Sequence, residues 1–506
     1  MNSYSATTVI APPAAITAST AEKPVASRPV GAAWRTSLGI LAISAVVIAP
    51  CFWHRYLEAG DLGSHIYNAW LVQLISRGQA PGLWVASQWN NIFFDLLLSG
   101  LSKVVGLNLA ARISAAFAIL IFFWGAFAFV YAITRRAPWH ITPLLAMVSY
   151  GWTFNRGFFN YYLSLGLAFF ALAVFCSVKG WARLLALLLV PFIYLAHPLG
   201  VAWFFAAVFY IAASELIRQR FQLLMVLVAA GGLAAVRVYL ALHFRVDPPP
   251  HSIIFFNGLD QLLFTNRYGV PILALVIIFA VALVNEAWRP NALRQWLMLC
   301  AIPLQLYLLV EVGIQILPDA IYLPQYAAPI GDLSERLTLI SAVLLTCVLG
   351  AMSPRKWHLW ALGGAAIIFF GFLYQDTGRL DRMESRVESL VSSIPPGQRI
   401  LLAIRQPLNY RFSSKHILAL ACLERCFAYG NYEAPTRQFR VRALPGNPIV
   451  AGDIHEAAAM EEGSYVVEPG ELPLFQIYQC GSVWTDLCIR PLQAGEINGA
   501  AEHRVN

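Results

Sequence analysis

The stretch "EAGDLGSHIYNAWLVQLISRG" (Glu58–Gly78) follows directly on "TSLGILAISAVVIAPCFW" (Thr36–Trp53), the first apolar segment of the chain. Its only acid beyond Glu58 is Asp61, in the Gly-flanked turn "AGDLGS". After the turn, Ile66, Trp70 and Leu74 fall on one helical line and Tyr67, Leu71 and Ile75 beside it. That four-residue spacing makes one apolar face, the pattern of a helix lying on a membrane surface rather than crossing it. A structured loop of this length after a first crossing is more often functional than connecting.

The rest of the chain supplies the membrane. Of 506 residues, 58% are hydrophobic and only 12% charged, about half the charge of a soluble domain. Apolar segments lie near 36–53, 91–107, 112–134, 139–154, 158–178, 182–197, 199–217, 222–242, 269–287, 296–316, 336–352 and 358–374. The fold class expected is therefore an all-α polytopic membrane protein. Segment 91–107 contains Asp95, Lys103 and two glycines and falls short of the roughly 20 residues that a span needs. If it does not cross, Arg135, Arg136, Lys179, Arg183, Arg218, Arg220, Arg289, Arg294, Arg355 and Lys356 share one side. Only Arg156, Arg245, Arg267 and Arg336 lie on the other. The positive-inside rule then predicts eleven spans, with a first outer loop at 54–111 that holds two juxtamembrane helices. The net charge of +8 thus reads as membrane orientation and not as nucleic-acid binding.

Residues 1–35, rich in Ala, Thr, Ser and Pro, read as a disordered cytoplasmic tail, and residues 36–374 as the transmembrane part. Residues 375–506 read as a small extracytoplasmic α/β domain. It opens with an amphipathic helix, a Pro-Pro-Gly turn and a strand ("ILLAI"). "SYVVE", "LPLFQIYQC" and "VWTDLCIRPL" follow as further strands. Cys422, Cys426, Cys480 and Cys488 all lie there. Two disulfides, free thiols and, less in keeping with the spacing, a zinc site are the readings open to them. No P-loop or dinucleotide fingerprint is present.

The order of features resembles the GT-C superfamily of integral-membrane glycosyltransferases. "GDLGSHIYNAWLVQLISRGQAP" (60–81) is similar to its first outer loop: an acid, a spaced histidine, a helix and a G-x-x-P exit. "LNLAARISAAFAILIFFWGAFAFVYAITRR" (107–136) resembles its second span, and "GFFNYYLSLGLAFFALA" (157–173) the start of a later one. The resemblance implies that a sugar moves from a polyprenyl-phosphate donor to a glycan, lipid or protein acceptor. The site would face outward from a bacterial inner membrane, with Asp61 as general base and inversion at the anomeric carbon. Asp61 is followed by Leu62 and not by a second acid, and the second outer loop, "TFNRGFFNYY", contains none, so no metal or other cofactor is expected.

Read residue by residue, Asp61 is either a base or a helix-capping acid beside glycine. Glu58 is either a solvated acid or a substrate contact. Arg237, inside an apolar span, is costly unless it pairs, and a lipid-linked phosphate would suit it. Arg336, His65, Arg156 and His197 join it as candidate substrate contacts, with Glu311 nearby in the outer half. The alternatives to a transferase are a transporter or flippase of a lipid-linked substrate and a non-catalytic assembly protein. Transporters often carry internal repeats, and none is found here.

Overall fold

The computed structural model describes residues 30–249, 256–405 and 410–499; the expectation of disorder for residues 1–35 falls largely outside them. In chain order the helices are α1 (Val30–Ile48), α2 (Leu62–Ser76), α3 (Phe93–Val105), α4 (Leu107–Thr134), α5 (Thr142–Ser149), α6 (Trp152–Arg156), α7 (Phe159–Ser177), α8 (Val190–Ala196), α9 (Pro198–Leu216) and α10 (Gln222–His243). They continue with α11 (Gly269–Ala287), α12 (Pro290–Ile316), α13 (Leu333–Gly350), α14 (Lys356–Ser392), α15 (Ile417–Ala421), α16 (Glu433–Thr436) and α17 (Ile454–Glu462). The strands are β1 (Leu83–Val85), β2 (Arg245–Asp247), β3 (Ala320–Tyr322), β4 (Arg399–Ala403), β5 (Phe427–Ala428), β6 (Val441–Ala443), β7 (Leu474–Gln479) and β8 (Leu487–Pro491).

Eight helices among the described residues are long and apolar enough to cross a membrane: α4, α7, α9, α10, a helical stretch containing α11, α12, α13 and α14. Apolar segments and spans therefore do not map one to one. Segment 139–154 divides at Tyr150 and Gly151 into α5 and α6, with Pro143 in the first turn of α5. Segment 182–197 becomes ten residues of 3-10 helix followed by the seven of α8, together about 30 Å long. Segment 91–107 yields α3, only 13 residues and too short to span. The last apolar run and the amphipathic tail helix fuse into α14. Its 37 residues contain no proline, so nothing interrupts the backbone ladder, and it is about 55 Å long.

α4 and α7 form the centre of the bundle, and small residues permit the close approach. A Cβ on Gly125 would stand 2.3 Å from the Gly166 carbonyl oxygen, and one on Gly166 would stand 2.8 Å from the Phe122 backbone. α10 is the opposite case, exposed along most of its length, as an apolar helix bordering lipid must be. At one end of the bundle Arg135 donates to the Cys176 carbonyl and Arg136 to that of Ala351, and exposed Trp181, Trp288 and Trp360 stand beside the basic loops. Aromatic and basic residues together mark a membrane–water interface.

At the other end the apolar face of α2, spaced for a membrane surface, packs against protein. α2 is buried from Leu62 to Leu71 because residues of the chain's last quarter cover it. Trp70 stacks on Phe427 at 5.9 Å, and the Tyr67 hydroxyl accepts from the Ala428 amide at 3.1 Å. Asn431 donates to Asn68, and β1 pairs antiparallel with β6. The face spaced for lipid is used for protein. On α3, Phe94 and Leu98 are buried while Val104 faces out.

The tail builds a four-stranded sheet in the order β5-β4-β7-β8. β4 runs parallel to both β5 and β7, and β7 is antiparallel to β8. α17 packs on it around Leu401, Met460, Tyr465 and Leu474. "SYVVE" forms only an isolated bridge, Val466 to Ile497, instead of a strand. Disulfides join Cys422 to Cys426 and Cys480 to Cys488.

Candidate functional site

The turn that carries Asp61 is locked against the segment around Arg156 by backbone contact. The Asp61 amide donates to the Arg156 carbonyl at 3.0 Å. Gly60 (φ +53°) and Gly157 (φ +91°) face each other's chains there. A Cβ on Gly60 would stand 2.1 Å from the Arg156 oxygen, and one on Gly157 would stand 2.3 Å from the Asp61 nitrogen. Both positions thus require glycine for space and for conformation.

Asp61 sits at the N-terminus of α2, yet its side chain makes no capping bond. The carboxylate is aimed instead into a cavity of about 500 Å³, whose wall includes Asp61, His65, Arg156, His197, Arg336 and His416. His416 Nε2 lies 3.3 Å from Asp61 Oδ1. Burial would raise the Asp61 pKa. The hydrogen bond and charge of His416 outweigh it, with Arg156 and His65 adding, and hold the carboxyl below the usual carboxylate range. The result is an ionised acceptor on the wall of this cavity.

His65 lies one turn further along α2. Its Nδ1 is 2.7 Å from Asp95 Oδ1, on α3. Burial alone would drive this imidazole down, but Asp95, helped by Glu433 and Asp61, pushes it up to about 9. Glu433, at the start of α16, is raised to about 7 by burial, with the charge of His65 working against that.

Across the cavity, Arg336 at the start of α13 stands over the Phe158 ring at 4.1 Å, and its Nη1 lies 3.2 Å from His197 Nε2. Its Nε is buried without a partner, as is that of Arg156. Neither arginine forms an ion pair among the described residues. Lys415 and Glu461, paired at 2.8 Å, Tyr432 and Phe439 close the side formed by the tail.

Five of the seven residues singled out in the sequence therefore line one cavity: Asp61, His65, Arg156, His197 and Arg336. Glu58 and Arg237 do not. Glu58 is not a solvated acid: only 9% exposed, it is buried facing the acids of α14. Arg237 lies on α10, away from the cavity wall. Glu311 accepts from Ser341 between α12 and α13 and is also outside it. The reading of residues missed Lys415, His416, Tyr432 and Glu461, which come from the far end of the chain. It also missed the partnership of Asp95 with His65: in the sequence Asp95 served only to argue that 91–107 is not a span.

No family model matches the chain, and no curated protein matches it. Among solved structures it is similar to the crystal structure of ArnT from Cupriavidus metallidurans bound to undecaprenyl phosphate. The identity is 12% and the TM-score 0.43, over 79% of this chain and 86% of that one. A likeness of this size carries no argument about the present site.

Proposed function

We propose that this protein is a membrane glycosyltransferase of the GT-C type, moving a sugar from a polyprenyl-phosphate donor to a hydroxyl of a glycan, lipid or protein acceptor. The observation that carries this reading is Asp61. It is an ionised carboxylate, free of any capping role, on the wall of a cavity with two arginines that form no ion pair among the described residues. A hydroxyl beside Asp61 gives up its proton to the carboxylate as its oxygen attacks the anomeric carbon. The bond from that carbon to the phosphate oxygen breaks, with inversion. The phosphate leaves with the electron pair, its charge stabilised by Arg156 and Arg336. Arg336 is favoured over Arg237 for this role because it lines the cavity. The chemistry invokes no metal or other cofactor.

The membrane is read as a bacterial inner membrane, with the N-terminus inside and the cavity and tail outside, on the basic-residue asymmetry. Reporter fusions after Tyr374 test the orientation: activity characteristic of the cytoplasm there would reverse it. Incubating the purified full-length chain with a polyprenyl-phosphate sugar tests the reaction. Release of polyprenyl phosphate that depends on Asp61 is expected. Movement of intact lipid across the bilayer without cleavage would identify a flippase instead.

A further inference from the structure

Asp95 and Asn160 have no assigned role, yet they hold one wall residue of the cavity in a fixed orientation. Asp95 Oδ1 is 2.7 Å from His65 Nδ1, and its other oxygen accepts from Asn160 Nδ2 at 2.9 Å. The same Asn160 group donates to the Asn91 carbonyl at 3.1 Å. Its Oδ1 accepts from the Phe94 amide at 2.8 Å, so Asn160 is itself anchored to the start of α3. The imidazole stands edge-on to the Phe94 and Phe159 rings, which are stacked on one another at 4.4 Å. With Nδ1 committed to Asp95 and the ring confined by two aromatics, Nε2 is the nitrogen left for the cavity.

A histidine held this way keeps one tautomer and one direction, and a carboxylate at Nδ1 favours its charged form. Three elements bring charge to it: Asp61 from the start of α2, Asp95 from α3 and Glu433 from α16. Arg440, next to β6, acts on Asp95. The acids prevail, and at neutral pH the imidazole carries its proton.

We infer that Asp95 and Asn160 are positioning residues that present His65 as a fixed cationic donor to the phosphoryl group of the lipid-linked substrate. This rests on the transferase reading, which supplies an anionic ligand for the cavity. The Asn160–Asp95–His65 chain accounts for a carboxylate on a short apolar helix.

The test is binding of undecaprenyl phosphate to the purified full-length protein in detergent, compared between pH 6 and pH 8.5. Undecaprenol serves as the control without the anion. In the wild type the imidazole stays charged over most of this range. In Asp95→Asn it returns toward the ordinary histidine value, about 6.5, and is neutral at the upper end. The ratio of variant to wild-type affinity for the phosphate should be near one at pH 6. It should fall about tenfold by pH 8.5, the loss of one charge-assisted hydrogen bond. Undecaprenol affinity should show no such change. Asp95→Glu should recover part of the affinity at high pH, and Asn160→Ala should show a smaller loss of the same shape.

A constant ratio across the pH range in both Asp95→Asn and Asn160→Ala overturns the assignment while leaving the transferase reading intact. Equal pH dependence for undecaprenol overturns it too. If the wild type binds no undecaprenyl phosphate at any pH, the functional reading and this inference fall together.

Discussion

Asp61 and Glu58 stand three residues apart in one turn, both largely withdrawn from water, and the structure gives them opposite characters. Asp61 meets His416, Arg156 and His65, and is held ionised. Glu58 meets the acids of α14. Burial first, and then the Asp381 charge, push it up to about 8, so that it holds its proton at neutral pH. The surroundings of Glu58 serve attachment. Arg55 and the Tyr56 hydroxyl reach Glu388, the Tyr56 amide donates to Asp381, and Arg112 donates to the carbonyls of His54 and Arg55. One acid is thus equipped to accept a proton from a substrate and the other to keep a proton and pin the loop. What separates them is the segment that each faces: the tail beyond α14 for Asp61, α14 itself for Glu58.

The contrast breaks most directly by substitution. Asp61→Asn keeps size and turn preference but cannot take up a proton. Transfer should fall by roughly 100- to 10,000-fold at near-normal protein level. Glu58→Gln should cost far less, because a neutral group already suits that position. If Glu58→Gln is inactive and Asp61→Asn is not, the two roles are exchanged.

Gly157→Ala comes next. It removes no catalytic side chain but forces a Cβ against the Asp61 amide, which must shift. A displacement on the order of 1 Å should lower turnover by about 100-fold. Wild-type rates in this variant would show that the Asp61 turn tolerates movement.

His416→Ala removes the partner at 3.3 Å from Asp61. The Asp61 pKa should rise toward its ordinary value. The acidic limb of the pH–rate profile should therefore move to higher pH, and the rate at neutral pH should fall by about tenfold as the pair is lost. An unmoved acidic limb would separate His416 from Asp61 function.

The smallest effect concerns stability. The folded pKa of Glu58, about 8, lies above that of the unfolded chain. Its contribution is therefore full below the unfolded value and is lost as pH rises through about 8. Melting temperature should drop by about 3 °C more between pH 5 and pH 9 in the wild type than in Glu58→Gln. Asp61 has the opposite sign: its contribution is present above the unfolded value and is lost as pH falls through the lowered one. Parallel melting curves for wild type and Glu58→Gln would mean that the protonation of Glu58 does not pin the loop.

The sequence by itself determined the class of molecule, because hydropathy over some twenty residues is a local property that the bilayer enforces. It also singled out Asp61, through the Gly-flanked turn, and the short, charged character of 91–107. Five wall residues of the cavity were legible because polar groups at the ends of apolar runs are conspicuous. Tertiary structure alone decided the remainder. The apolar face of α2 reads the same whether lipid or protein covers it, and only the fold places Trp70 on Phe427. Glu58 reads as solvated until α14 brings Glu384 to it. His416 is more than three hundred residues from Asp61, and no periodicity links them. Hydropathy and turn chemistry act over a few residues, whereas the charge state of a buried acid depends on whichever distant segment packs against it.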